Sequence, residues 1–396
     1  MKDFDLVLFG ATGFTGRLVA NYLAGAPARE RRSIHWAIAG RNPQKLEAIS
    51  RELDHVPVLV ADALDPEACA AIARRTRTVC TTVGPYARYG SALVAACAEA
   101  GTHYCDLTGE VHWMREMIDA HHARAAATGA RIVHTCGFDS IPSDLGTWAT
   151  QQEHIQRFGR PAHAVTAVYG EARGGLSGGT AASAFEIAEV MADPAIRRLL
   201  RNPFALDPDP DAPHAPQPDN KRPGWDPRLK MFIVPFFMAD TNSPVVRRGH
   251  ALAGHPWGED FEYREVMSTP GNARGLAMAA AITGGLVGLA AAMKRPKLRE
   301  LLQKRAPQPG EGPDEKTRTR GHWKVRFIAD DRPFYTVADP AGDPGYGSTC
   351  KMLGESALCL AFDPLTSPGG VLTPSFAMGG ALVARLRNAG LTFAPM

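Results

Sequence analysis

Apolar residues in the first third of the chain follow two alternating patterns. Short runs at 5–9, 35–39, 57–61, 78–83, 103–106 and 131–136 are mostly apolar, with β-branched and aromatic members. Strands buried on both faces have this composition. Between them, 17–24, 43–53, 66–75, 91–100 and 111–128 read as helices. Strand and helix alternating through short loops predict an α/β fold with a doubly wound parallel sheet of Rossmann type, here over 1–145. Pro142 sits near the start of another helix, with Ser140 or Ser143 available as its cap.

The pattern changes after about residue 162. Strand-like runs at 164–169, 231–237, 261–267, 323–329 and 334–338 mix with helical runs at 180–191, 274–293 and 296–304, and a Gly-rich turn follows the first of the strands. Pro- and Asp-rich 207–226 and Pro- and Gly-rich 307–318 read as exposed loops. This mixture predicts a second, α+β domain over 146–345 with a mostly antiparallel sheet. Helical patterns at 347–361 and 374–389 predict a helical tail, 346–396, packed back on the first domain.

One segment complicates the soluble pattern. Residues 275–293 carry no charge over 19 positions and are flanked by Arg274, Lys294 and Arg295. That length reaches the lower limit for a membrane span, but Ala and Gly dominate it and drive insertion weakly. Gly284 and Gly288 suit close helix packing. A buried or homodimer-interface helix is the first reading, peripheral membrane contact the second and a true span the last.

At 396 residues the chain is long enough for two domains. A net charge of +3 argues against nucleic acid as a main partner. Seven scattered cysteines without a C-x-x-C pair point to reduced thiols in a cytoplasmic protein, and no zinc site is expected. The chain runs straight into a strand, so no signal peptide is expected.

Candidate chemistry begins at the first strand–helix junction. There Gly10, Ala11, Thr12, Gly13, Phe14, Thr15 and Gly16 form a G-x-x-G-x-x-G turn. Gly10 permits the tight turn, Gly13 lets a diphosphate approach the backbone, and Gly16 lets the helix pack on the strand. The helix N-terminus adds free N–H groups and partial positive charge. Strand 2 ends at Arg41, where NAD sites place an acid that accepts from the ribose hydroxyls. An arginine there pairs with a 2′-phosphate and stacks on adenine, which favours NADP. Asp62 ends strand 3, where it can meet the adenine amino group or serve as a turn residue. Strand 4 ends in Gly84, Pro85 and Tyr86, a turn placed to lie over the diphosphate and nicotinamide with Tyr86 reaching into the cleft or packed at its edge.

Strands 5 and 6 end in polar clusters containing Asp106, Glu110 and Asp139. Each carboxylate can orient substrate, donate a proton or cap the next helix. Asp144 reads as a cap, and His134 and Cys136 as structural. No Tyr is followed four residues later by Lys, so the short-chain dehydrogenase pair is missing. H-E-x-x-H, G-x-S-x-G and P-loop motifs are also missing, and no metal is expected.

In combination, GATGFTG, the AGR after strand 2, VGPY, GTHYCDLTGE and CGFDSIPSD resemble the saccharopine dehydrogenase-like oxidoreductases, and most closely the bacterial trans-acting enoyl reductases. GGLSGGTAAS, PGEGP, GDPGYGSTCKMLGESAL and GGVLTPSFAMGGAL extend the resemblance over nearly the whole chain. It implies NADPH-dependent reduction of a C=C bond in a small-molecule or carrier-bound acyl or lipid substrate. It also implies membrane or lipid-droplet association, and the expected location is the cytoplasm, with association at the inner face of the plasma membrane. On this reading Tyr86 is the expected donor to the thioester oxygen, with Asp106 and Asp139 orienting. The competing readings are an imine-forming amino-acid dehydrogenase and a non-catalytic NADP-binding protein at a membrane.

Overall fold

The computed structural model describes residues 2–173, 178–218, 221–306 and 311–396. The Gly-rich turn read at 174–177, two residues of the 207–226 loop and the start of the 307–318 loop lie outside them. Two seven-stranded sheets organise the chain. The first is built from β1 (Phe4–Phe9), β2 (Trp36–Gly40), β3 (Val58–Val60), β4 (Thr76–Thr81), β5 (His103–Cys105) and β6 (Arg131–Val133). The second draws on β7 (Ala164–Arg173), β8 (Gly224–Asp226), β9 (Met231–Pro235), β10 (Glu262–Thr269), β11 (His322–Ala329) and β12 (Arg332–Asp339). The tail adds β13 (Gly370–Leu372) to the first sheet and β14 (Thr392–Pro395) to the second.

The first sheet is parallel throughout, in the order β13-β6-β5-β4-β1-β2-β3. The chain leaves β1 in one direction and β4 in the other, so a crevice opens between their carboxyl ends, where ligands of such sheets bind. Local chemistry sets the helices that flank it. Asn42 accepts from the Lys45 N–H with Pro43 at the first helical position, and Asp65 accepts from Glu67 and Ala68 with Pro66 following it. Proline at that position loses no hydrogen bond, so both helices start sharply.

The second sheet runs β14-β12-β11-β7-β10-β9-β8 and is antiparallel except for the β7–β10 pair. The helix Thr349–Phe362 crosses β1, β4 and β5 and meets the glycine-turn helix Phe14–Ala24, where Tyr22 donates to Glu355 Oε1 at 2.6 Å. Arg385 then ties the tail to Glu30, Glu355 and Asp363.

Several elements depart from the sequence pattern. The helix Ala239–Leu252 has no counterpart in the sequence reading, because it holds Pro244 and several polar residues in its interior. Most of its polar residues are nonetheless buried, including Asn242, Arg247 and Arg248. The tail, read as helical, also supplies the two strands β13 and β14 because their partners, β6 and β12, lie far away in sequence. The helix Ala273–Met293 is not buried: only Gly275 and Ala279 are enclosed, while Leu276, Met278, Val287 and Leu289 face outward.

Candidate functional site: the crevice at the carboxyl ends of the parallel strands

Gly10 leaves β1 with φ +95, a left-handed conformation that favours glycine, and a Cβ there would lie 2.6 Å from Val83 Cγ2. A Cβ on Gly16 would sit 2.1 Å from the Gly10 carbonyl oxygen, so this glycine is what lets the helix close on the turn. Gly13 differs. A Cβ there would meet only the Gly10 oxygen, at 3.5 Å, and otherwise open space. The fold makes no steric demand for glycine at 13; a diphosphate lying against the backbone does. The helix beginning at Phe14 has no side-chain cap and no acid in its first turn, so its leading N–H groups and dipole are free for an anion. Ala11 is buried beneath the turn, Thr12 is exposed and Thr15 is half-buried. These features fit a dinucleotide.

Arg41 follows β2, exposed and without an ion pair among the described residues. Asp62 Oδ1 accepts from the Leu64 N–H at 3.0 Å, closing the turn after β3. Phe14 lies under Tyr346, edge to face at 5.1 Å, with the Arg318 guanidinium 5.5 Å from its ring. Segments from the second half of the chain therefore roof the glycine turn.

Gly84 and Pro85 are joined by a cis peptide bond. Behind them, Glu110 holds the loop: Oε1 accepts from the Tyr86 N–H at 2.9 Å and Oε2 from the Ala87 N–H at 2.8 Å. Glu110 is thus a cap. The expectation that Tyr86 reaches into the cleft is corrected. Tyr86 is 3% exposed, its hydroxyl donates to the Thr81 carbonyl at 3.2 Å and accepts from Leu107 N–H at 3.4 Å, and its ring packs on Trp113. Its single O–H is spent inside the strand ends.

Asp106 is likewise committed. Fully buried, it accepts from Tyr104 at 2.9 Å, from the Thr108 and Thr135 N–H groups at 3.1 Å, and faces His134 Nδ1 at 2.7 Å. Such a carboxylate locks the ends of β5 and β6 together. Asp144 caps a distant helix, accepting from the Ser375 N–H and hydroxyl at 2.7 Å each, while burial pushes its carboxyl up to about 7. Cys136 is core, and burial pushes its thiol up.

Asp139 is different. It follows β6, is half-buried and has no hydrogen-bond partner among the described residues. Desolvation pushes its carboxyl up to about 6. Beside it lies a polar cluster that the sequence pattern does not assemble: Ser140, Ser143, Tyr169, Asn242, Tyr263 and Glu265, drawn from the start of the helix Ile141–Phe158, β7, the helix Ala239–Leu252 and β10. The one sequence signal is Glu265 inside an otherwise strand-like run, on the same face as Tyr263.

With this geometry in view, comparison with known proteins is informative. The saccharopine dehydrogenase NADP-binding domain family matches residues 6–133. A Mycobacterium tuberculosis protein bearing the name trans-acting enoyl reductase is 42% identical over 412 aligned positions, covering 99% of this chain and 97% of the relative. A Mycobacterium bovis trans-acting enoyl reductase is 39% identical over 409 positions, covering 98% and 97%. The chain belongs to this enoyl reductase family within the saccharopine dehydrogenase-like oxidoreductases. Saccharopine dehydrogenase (L-Glu forming) of Saccharomyces cerevisiae shares the fold, with a TM-score of 0.52 at 13% identity, over 99% of both chains. The enzyme is an NADP-dependent oxidoreductase.

Proposed function

We propose that the enzyme reduces the C=C bond of an enoyl thioester presented by an acyl carrier. The relatives' names supply the reaction class, and Asp139 carries the reading within this chain. It is the one predicted catalytic residue whose polar atoms are not consumed by the fold. NADPH, when bound, would supply the hydride that the β-carbon accepts. Asp139, protonated in a useful fraction near neutral pH, gives its proton to the α-carbon, so two hydrogens add across the bond and charge balances. Glu110 keeps the Gly84–Pro85 wall in place, and Arg41 would hold the 2′-phosphate.

An amino-acid substrate with several carboxylates is less well served. The buried Arg247 and Arg248 donate to the carbonyls of Pro203, Tyr263, Leu206 and Val371. Stopped-flow NADPH oxidation with enoyl thioesters of rising chain length tests the proposal. Turnover that Asp139→Asn abolishes is expected; tight NADPH binding with no turnover on any chain length would sink it.

The substrate's greasy character extends to location. Among the described residues, Ala273–Met293 is the helix long and apolar enough to cross a membrane. The helix Pro296–Arg305 follows, with exposed Leu298 and Leu301 beside Lys297 and Arg305. We place this pair flat against an anionic bilayer at the inner face of the plasma membrane, leucines in the acyl boundary and cations among the headgroups.

A further inference from the structure

The NADP-binding family match ends at residue 133, yet the roof over the glycine turn comes from the second half of the chain and brings a cation with it. We propose that Arg318 is a ligand of the cofactor's diphosphate, so that NADP bridges the glycine turn and the strap 311–320. The inference rests on a diphosphate lying at Gly13 and is independent of the substrate.

The strap is pressed onto Phe14, the residue that follows Gly13 and opens the helix. A Cβ on Gly312 would run into the Phe14 ring, so the strap's backbone lies directly against it. Tyr346 meets the same ring edge to face at 5.1 Å, and the Arg318 guanidinium lies 5.5 Å from its centroid. Local chemistry holds the strap in this place. Asp314 accepts from the Thr317 N–H at 2.8 Å and starts the short helix Glu315–Thr319. The Arg318 carbonyl accepts from the Asp343 N–H at 3.1 Å, which ties the strap to the segment that carries Tyr346. Arg318 is thus fixed beside the glycine turn by its backbone as well as by its side chain.

The charge balance there calls for an anion. A guanidinium carries several N–H groups, and among the described residues this one donates only from Nη1, to the Pro313 carbonyl at 2.6 Å. No carboxylate of the described residues pairs with it. Asp343, next to the strap, spends Oδ1 on the Gly347 N–H at 2.7 Å and Oδ2 on the Tyr346 N–H at 3.2 Å. Arg318 is half-buried, and the helix it approaches has free leading N–H groups and no acid in its first turn. Arg17, further along that helix, is already paired with Glu52. A guanidinium and the positive end of a helix dipole repel each other when nothing lies between them, and together they attract a group with two negative charges. A diphosphate is such a group: Gly13 leaves the backbone open to it, and Arg318 supplies a planar fork of donors.

The test is fluorescence titration of the full chain with NADPH and with NADH, and displacement by 2′-AMP, which carries the 2′-phosphate but no diphosphate. Arg318→Gln is expected to raise the Kd for NADPH and for NADH by the same factor, about 10- to 100-fold, and to leave 2′-AMP within about twofold. Its log Kd for NADPH should also rise less steeply with log salt than that of wild type, a change that lost packing does not produce. Arg318→Lys, which keeps the charge without the fork, should fall between the two. Unchanged affinity for both dinucleotides in Arg318→Gln, while Gly13→Ala weakens both, overturns the proposal and keeps the diphosphate at Gly13. A loss confined to NADPH and 2′-AMP would put Arg318 on the 2′-phosphate and overturns it too. So does an equal loss with an unchanged salt slope, which would make Arg318 a packing residue. If neither Arg318→Gln nor Gly13→Ala weakens either dinucleotide, the diphosphate lies elsewhere and both assignments fall.

Discussion

Glu110 grips two consecutive backbone N–H groups, those of Tyr86 at 2.9 Å and Ala87 at 2.8 Å, and thereby holds the loop at the end of β4 over the crevice. Ser183, on the helix Gly178–Val190, adds a third donor at 3.1 Å. Removing the carboxylate leaves these buried donors unsatisfied, at a cost of about 1–3 kcal/mol. Glu110→Ala should therefore lower the melting temperature and weaken NADPH binding together, while Glu110→Gln, which keeps one acceptor, should lose less of each. Calorimetry and fluorescence titration of NADPH read both quantities.

The glycines of the first turn make separable demands. Gly16→Ala drives a methyl into the Gly10 carbonyl and should destabilise the fold by about 3 kcal/mol or more. Gly13→Ala meets nothing in the protein closer than 3.5 Å, so its melting temperature should stay near wild type while NADPH affinity falls roughly tenfold. Equal destabilisation by the two would count against a diphosphate at Gly13.

Arg41 makes no ion pair among the described residues, so its replacement exposes no stranded partner there. Arg41→Ala should raise the Kd for NADPH about 10- to 100-fold, the worth of a charge-assisted contact to phosphate, and leave NADH binding within about twofold. Parallel titrations with the two nucleotides decide it. A proportional loss for both would move the 2′-phosphate elsewhere.

Burial raises the Asp144 carboxyl to about 7 in the folded chain, against about 4 when unfolded. Between those values the folded state binds more proton than the unfolded one, so this group's contribution to stability falls as pH rises from about 4 to about 7. Asp139 and Glu265 act in the same direction. The melting temperature of wild type minus that of Asp144→Asn should become more negative from pH 5 to pH 8. A difference independent of pH would mean that Asp144 is ionised throughout.

Leu276 and Val287 are 54% and 65% exposed on the helix Ala273–Met293. Changing both to Glu should abolish sedimentation with vesicles containing phosphatidylserine while NADPH binding persists. If instead wild type ignores vesicles and its mass in solution is that of a dimer which the double variant loses, a second copy covers the helix.

The parallel sheet was legible from the chain because each of its first six strands is a short apolar run with its helix close behind, and such βαβ units fold back locally in one hand. For the same reason the glycine turn and Arg41 stand out in the chain as candidates for a dinucleotide site. The second half resisted where contacts are long-range. β13 pairs with β6 across more than two hundred residues, and Pro244 conceals a helix that tertiary packing stabilises. The carboxylates that follow strands 5 and 6 show the limit most clearly. Asp106, Glu110 and Asp139 all stand after strands and look alike in sequence, yet the first is consumed by Tyr104, Thr108, Thr135 and His134, the second by the Tyr86 loop, and the third by no group among the described residues. Sequence sets which groups can ionise; the count of donors that packing brings within about 3 Å determines which of them remains free to react.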